Sequence, residues 1–394
     1  MEKNDVVIER RCVLRPVKNC AFASEMVLNP AIIKDPVTGR IHMLVRTSGP
    51  WQQGRLEGKP LPYPIFLAYG WSDDGGVSFG FDFKKPALAP LLKYERDELL
   101  VANGRGELEP AFHNGCIEDP RLFFIEGDCY LTVACRMFPP GPYWEHDEPT
   151  QCMPEWAKSK DSPYESAENL TVTVLYRVDL DALAKRDYGA AFTFITSLTD
   201  PVRGQDRDVI LFPEKMMIDG KLQYVMIHRP VTPDKYEEFE EKLPSIVISA
   251  APDFYSFAKN ATRREILYSP RLDWQANRVG ASTPLIDMGN GEWLLSFHGK
   301  KDDVTGYTQS FMILREREND FPKITHLYPE RWIVNEAEFE LPKKFGIPCI
   351  FFTGMIKEGD ELLASYGAAD EFAAVMRIDY NKVIETLRRY PYEK

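Results

Sequence analysis

Apolar positions along the chain fall in short aromatic or β-branched runs, separated by turns, and seldom repeat at helical spacing. Only three segments read as helices: Asp179 to Lys185, the acidic Asp234 to Lys242, and Asn381 to Arg389. One unit recurs instead: an apolar strand, a tight turn carrying Gly with Asp, Asn or Glu, and a second strand ending in a polar group. The second strands begin at Gly39, Gly127, Gly220, Gly291 and Gly359. They lie roughly 70 to 90 residues apart, enough for four strands and their loops. This predicts an all-β protein, a five-bladed β-propeller occupying residues 1–394 as a single domain with a central axial funnel.

The polar groups fall at equivalent places in the unit. Asn29-Pro30, Glu118-Asp119-Pro120-Arg121, Arg207-Asp208 and Arg278 accompany the first strands. Arg46, Arg136, His228 with Arg229, His298 and finally Asp370 close the second ones. In a propeller such positions converge on the axis, where a ligand site is expected. The longest departure from the repeat, Met137 to Asn169, is rich in Pro, Trp and Tyr and reads as a lid-like loop, or as aromatic cover for an exposed blade face. Thr47 to Pro62 is a smaller rim candidate, and 381–394 a helical tail.

Composition narrows the class. With 44% hydrophobic residues the chain can bury a large core, which argues against global disorder. Met1 to Arg11 lacks the apolar run of a signal peptide, and stretches such as Ile347 to Ile356 are far shorter than the roughly 18 residues of a spanning helix. A cytoplasmic protein with no membrane partner is expected. Seven cysteines, an odd count without CxxC spacing, read as free thiols. The net charge of −12 opposes binding to nucleic acid. An anionic ligand would need a local basic cluster.

That cluster is present. Arginine binds phosphate through paired, charge-assisted hydrogen bonds. Arg207, Arg229 and Arg278, with His298 and Tyr307, form a candidate anion site. No Gly-rich phosphate loop or GxSxG elbow occurs, and the six histidines lack metal-site spacing, so no metal is expected. Along a strand Glu118 and Asp119 would face opposite ways. That pattern suggests one working acid and one supporting carboxylate.

These residues resemble glycoside hydrolase family 130, the β-mannoside phosphorylases and related mannosidases. The likeness rests on Asn29-Pro30, Arg46, IEDPR at Ile117 to Arg121, RDVILFPEK at Arg207 to Lys215, HRP at His228 to Pro230, RVGASTP at Arg278 to Pro284, His298-Gly299 and YGAAD at Tyr366 to Asp370. It implies a five-bladed propeller and inverting phosphorolysis: phosphate attacks the anomeric carbon of a β-mannoside and releases α-mannose 1-phosphate. It implies Asp119 as the general acid, acting through a mannose hydroxyl. Arg207, Arg229, Arg278, His298 and Tyr307 would bind phosphate. Asn29, Arg46, Arg136 and Asp370 would hold the sugar. No cofactor is implied beyond phosphate as co-substrate, and a homo-oligomer is expected. The chain departs from the pattern at Thr47, at Phe345 to Thr353 and in the 137–169 insertion, where an acceptor sugar would sit. Two other readings stay open: a β-mannosidase using Glu214 or Asp208 to activate water, and a mannoside-binding propeller without turnover.

Overall fold

A computed structural model describes residues 3–50, 55–56, 59–60, 64–140, 153–158 and 169–392. The all-β expectation holds, and the strands pair as antiparallel meanders of four. In the first meander Met26–Lys34, Ile41–Ser48, Ile65–Ser72 and Gly80–Asp82 follow one another. Cys116–Ile125, Asp128–Arg136, Val172–Val178 and Phe192–Ser197 make the second. A single parallel bridge, Cys116 to Ile65, joins these two into one sheet. The third runs from Asp206–Leu211 through Lys221–Pro230 and Ile246–Ala251 to Arg263–Tyr268. The fourth comprises Arg278–Ala281, Glu292–Lys300, Tyr307–Arg317 and Asp320–Leu327. Ile350–Glu358, Glu361–Ala368 and Phe372–Asp379 begin the fifth, and Val7–Leu14 completes it from the other end of the sequence.

Turn chemistry explains the hairpins. Ile125 faces Asp128 across Glu126-Gly127, and Ile218 faces Lys221 across Asp219-Gly220. All four turn residues have positive φ, the geometry of a two-residue turn that matches strand twist and favours Asp or Asn followed by Gly. The first strands of the first four meanders touch in turn, that of the fifth packs on that of the first, and the fourth and fifth meet through Tyr307–Arg317 and Ile350–Glu358. Apolar side chains fill the spaces between neighbouring sheets. Phe212 meets Trp293 edge-on at 5.9 Å, for example, between the third and fourth.

The helix expectations divide. Asp179 caps a helix over Leu180–Ala184 by accepting from the Ala182 amide, and Asp379 caps Tyr380–Leu387 in the same way. Asp234 to Lys242 forms no α-helix, only a 3-10 turn over Pro233–Lys235. Like charges four apart, Asp234 with Glu238 and Glu237 with Glu241, oppose continuation.

Of the expected 137–169 loop, Tyr143 and Trp144 lie outside the described residues. Trp156 packs edge-on against Phe138 at 6.1 Å, and its indole N–H donates to the Tyr94 carbonyl at 3.2 Å. Asn169 bonds both the amide and the carbonyl of Phe138. These described parts cover a blade face. Among the described residues no helix is long and apolar enough to cross a membrane.

Candidate active site

The innermost strands of the first three meanders share one irregularity. Register breaks between Leu28 and Ala31, between Glu118 and Arg121, and between Arg207 and Ile210. At each break sits a left-handed residue: Asn29 with φ 45°, Asp119 with φ 49° and Asp208 with φ 57°. Asn and Asp tolerate this region better than other side chains. The bulge turns the polar group out of the strand's alternation and toward its neighbours in adjacent blades.

The consequence is a compact charged centre. Asn29 Nδ2 donates to Asp119 Oδ1 at 2.7 Å, and Arg46 Nη1 donates to the same oxygen at 2.8 Å. Arg207 Nη1 lies 3.5 Å from Asp119 Oδ2 and 3.2 Å from Glu118 Oε2. Glu118 therefore faces the same two arginines as Asp119, which corrects the expectation of opposite faces: alternation fails because Asp119 is left-handed. Burial disfavours the Glu118 carboxylate, but Arg46 and Arg207 outweigh it and hold its pKa down at about 2. Cys116 Sγ donates to its other oxygen at 3.2 Å.

A second centre adjoins the first. Asp208, fully buried, receives Arg121 Nη2 at 2.9 Å and Arg229 Nε, with His298 Nε2 3.4 Å away. Burial opposes its ionisation, yet Arg229, His298 and Arg121 keep it well below the usual carboxylate range. Arg121 is thus committed to Asp208 and the Ser282 carbonyl, and bonds only the backbone carbonyl of Asp119. Arg207 and Arg229 are register partners on adjacent strands, so their side chains leave the sheet side by side. Arg229 is 3% exposed and its Nη1 has no hydrogen-bond partner. Arg278 Nη1 donates to Tyr307 Oη at 3.3 Å, and Tyr307 lies edge-on to His298 at 5.4 Å. His298 Nδ1 lies 3.0 Å from Ser282 Oγ.

The expected sugar residues group around Asp119. Asp370, also left-handed at φ 55°, interacts electrostatically with Arg46 and Asp119, and burial raises its pKa. Arg136 stands one step back, its Nε bonding Thr171 Oγ1 at 3.3 Å. Thr47 is fully buried, and its hydroxyl donates to the Phe66 carbonyl at 3.5 Å.

Three features carry no mark in the sequence. Phe351 packs against His298 at 4.7 Å and Tyr307 at 5.1 Å, an aromatic wall with no motif to announce it. Thr171 ties Arg207 to Arg136. Asp206, His228 and Ser249 form a hydrogen-bonded series, 2.7 Å at each step. All three are buried, and the series braces the strands bearing Arg207 and Arg229.

The opposite mouth of the axis differs. A cavity of about 430 Å³ there is lined by all five inner strands or their continuations, including Ile33, Leu122, Leu211, Leu285 and Ile356. Glu214 lies on it and is exposed, away from the arginines.

A family model described as beta-1,4-mannooligosaccharide phosphorylase matches residues 164–389. Beta-1,2-mannobiose phosphorylase of Listeria innocua is 26% identical over 322 residues, covering 76% of this chain and 82% of its own. In fold the chain is similar to the Listeria innocua beta-1,2-mannobiose phosphorylase in complex with beta-1,2-mannobiose (TM-score 0.63, 17% identity, covering 97% of this chain and 100% of that one). It is also similar to a mannose phosphorylase from Leishmania mexicana in complex with a phosphate ion (TM-score 0.52, 13% identity, covering 97% and 91%).

Proposed function

The chain belongs to glycoside hydrolase family 130, and from that membership and its axial arginines we propose that it is an inverting β-mannoside phosphorylase. The observation that carries this reading is Arg229. It is a buried guanidinium with one nitrogen lacking any hydrogen-bond partner, beside Arg207 and near the Arg278–Tyr307 pair. A buried donor without a partner is costly, and a bound phosphate oxygen would satisfy it.

In this mechanism phosphate sits between Arg207 and Arg229, with Arg278, Tyr307 and His298 completing the seat. The mannosyl unit lies against Asn29, Arg46 and Asp370, with Arg136 supporting from behind Arg207. Asp119 protonates the departing glycosidic oxygen, by way of a sugar hydroxyl, while phosphate attacks the opposite face of the anomeric carbon. One protein acid suffices because the nucleophile is already an anion.

The hydrolytic alternative needs a carboxylate to activate water. Asp208 is committed to Arg121 and Arg229, and Glu214 lies at the far mouth. Neither is placed for that task.

The test is a panel of acceptor sugars with α-mannose 1-phosphate, following phosphate release, together with cleavage of the resulting disaccharide with and without phosphate. Turnover should require phosphate and be abolished by Asp119→Asn. Equal cleavage in phosphate-free buffer would refute the reading. The sugar that supports release identifies the acceptor, and analysis of the disaccharide formed identifies the linkage.

A further inference from the structure

Glu118, Asp119, Arg46 and Arg207 form a closed square in which one arginine has two claims on it. Arg46 Nη1 lies 2.8 Å from Asp119 Oδ1 and 3.4 Å from Glu118 Oε2. Arg207 Nη1 closes the other side, 3.2 Å from Glu118 Oε2 and 3.5 Å from Asp119 Oδ2. Two positive charges meet two negative ones, so the square is complete only while Asp119 carries no proton. A general acid has to carry one.

Arg207 is also half of the anion seat, side by side with Arg229, whose Nη1 is unpartnered. A dianion seated there draws on the same guanidinium that now reaches Asp119 Oδ2, and it places two negative charges beside that carboxylate. Both changes favour the protonated acid. The remaining charged neighbours leave Asp119 as the group that responds. Glu118 keeps Arg46 at 3.4 Å when Arg207 is withdrawn, and its other oxygen still accepts from the Cys116 thiol. Arg121 meets only the Asp119 carbonyl and pairs with Asp208. Asp370 repels Asp119 and so adds to the tendency. Asn29 Nδ2 donates to Oδ1, leaving Oδ2, the oxygen facing Arg207, to take the proton.

We infer that phosphate arms the acid: its binding between Arg207 and Arg229 withdraws Arg207 from Asp119, and Asp119 Oδ2 takes one proton from solvent, with no other bond made or broken. The inference rests on the phosphorylase reading and deepens it. It also gives a reason for phosphate dependence. Without phosphate, a water molecule attacking the sugar would meet an acid with no proton to deliver.

The experiment is calorimetric titration of the enzyme with inorganic phosphate at about pH 8, where the free anion is already a dianion, in two buffers of different ionisation enthalpy. The buffer dependence of the heat should show net uptake approaching one proton per phosphate bound. Sulfate, which cannot supply or take a proton at that pH, should give the same uptake. Asp119→Asn should bind phosphate with no uptake. Binding without buffer dependence for both anions, or uptake that persists in Asp119→Asn, would overturn the coupling while leaving the phosphorylase reading intact. Absence of phosphate binding would remove that reading and the coupling with it.

Discussion

Thr171 shows how one buried hydroxyl can order a charged site. A threonine oxygen has one proton and two lone pairs, and here all three are used. It accepts from Arg207 Nη2 at 2.9 Å and from Arg136 Nε at 3.3 Å, and it donates to Gln205 Oε1 at 3.1 Å. Thr171 is thus a positioning residue for Arg207. Thr171→Val keeps the shape but leaves Arg207 Nη2 without this partner, at a cost of about 1.5–3 kcal/mol for a hydrogen bond to a charged group. Steady-state kinetics should show KM for phosphate rising about tenfold or more with a smaller change in kcat, and Thr171→Ser should restore the wild-type value. A uniform loss in both variants would mean a packing role only. No sequence pattern marks Thr171, because its importance lies in three partners drawn from separate segments.

At the scale of the strand, the bulges at Asn29, Asp119 and Asp208 build the site. The sequence displays their residue types and their repeated spacing, which is why the candidate residues can be assembled from the chain's pattern alone. It does not display a left-handed φ, and alternation therefore puts Glu118 and Asp119 on opposite faces. The fourth inner strand answers these bulges with a small residue. Gly280 has an ordinary φ, yet a Cβ there would collide with Asp208 Oδ2 and with the His298 ring. Gly280→Ala should push these groups apart and displace Arg229, which is bonded to Asp208. A shift near 1 Å in a reacting constellation costs about 10²-fold, so kcat/KM should fall by that order. Thermal denaturation should change far less. An unaffected kcat/KM would show that Asp208 and His298 do not need this spacing.

For the whole molecule, the net charge of −12 makes the arginine-rich axis a local exception. Pairing resolves the contradiction: Arg46, Arg207, Arg229 and Arg121 are each matched by Glu118, Asp119 or Asp208. Stability at acid pH depends on a group elsewhere. His113 is enclosed by Phe194 at 4.8 Å and Tyr176 at 5.9 Å, and burial pushes its pKa from 6.5 to about 4. The unfolded chain binds a proton there before the folded one does. Stability is therefore full above 6.5 and declines as pH falls toward 4, by up to about 3 kcal/mol. In His113→Phe the fall of Tm over that interval should be shallower, and an unchanged slope would assign it to other groups. The five repeats make the architecture legible, since hairpin turns and polar strand ends announce themselves in sequence. The partner of the first strand does not, because Val7–Leu14 carries no mark of where it docks.

That docking sets the order in which the fold can be completed. Cys12 faces Ala374, so a strand that precedes all the other blades in sequence must wait, unpaired, until the last of them has formed. Contacts so distant in sequence close late and slowly. While they are open, Phe372–Asp379 presents a bare edge to other molecules. The slowest step of refolding, and the one most sensitive to protein concentration, is then the seating of this strand.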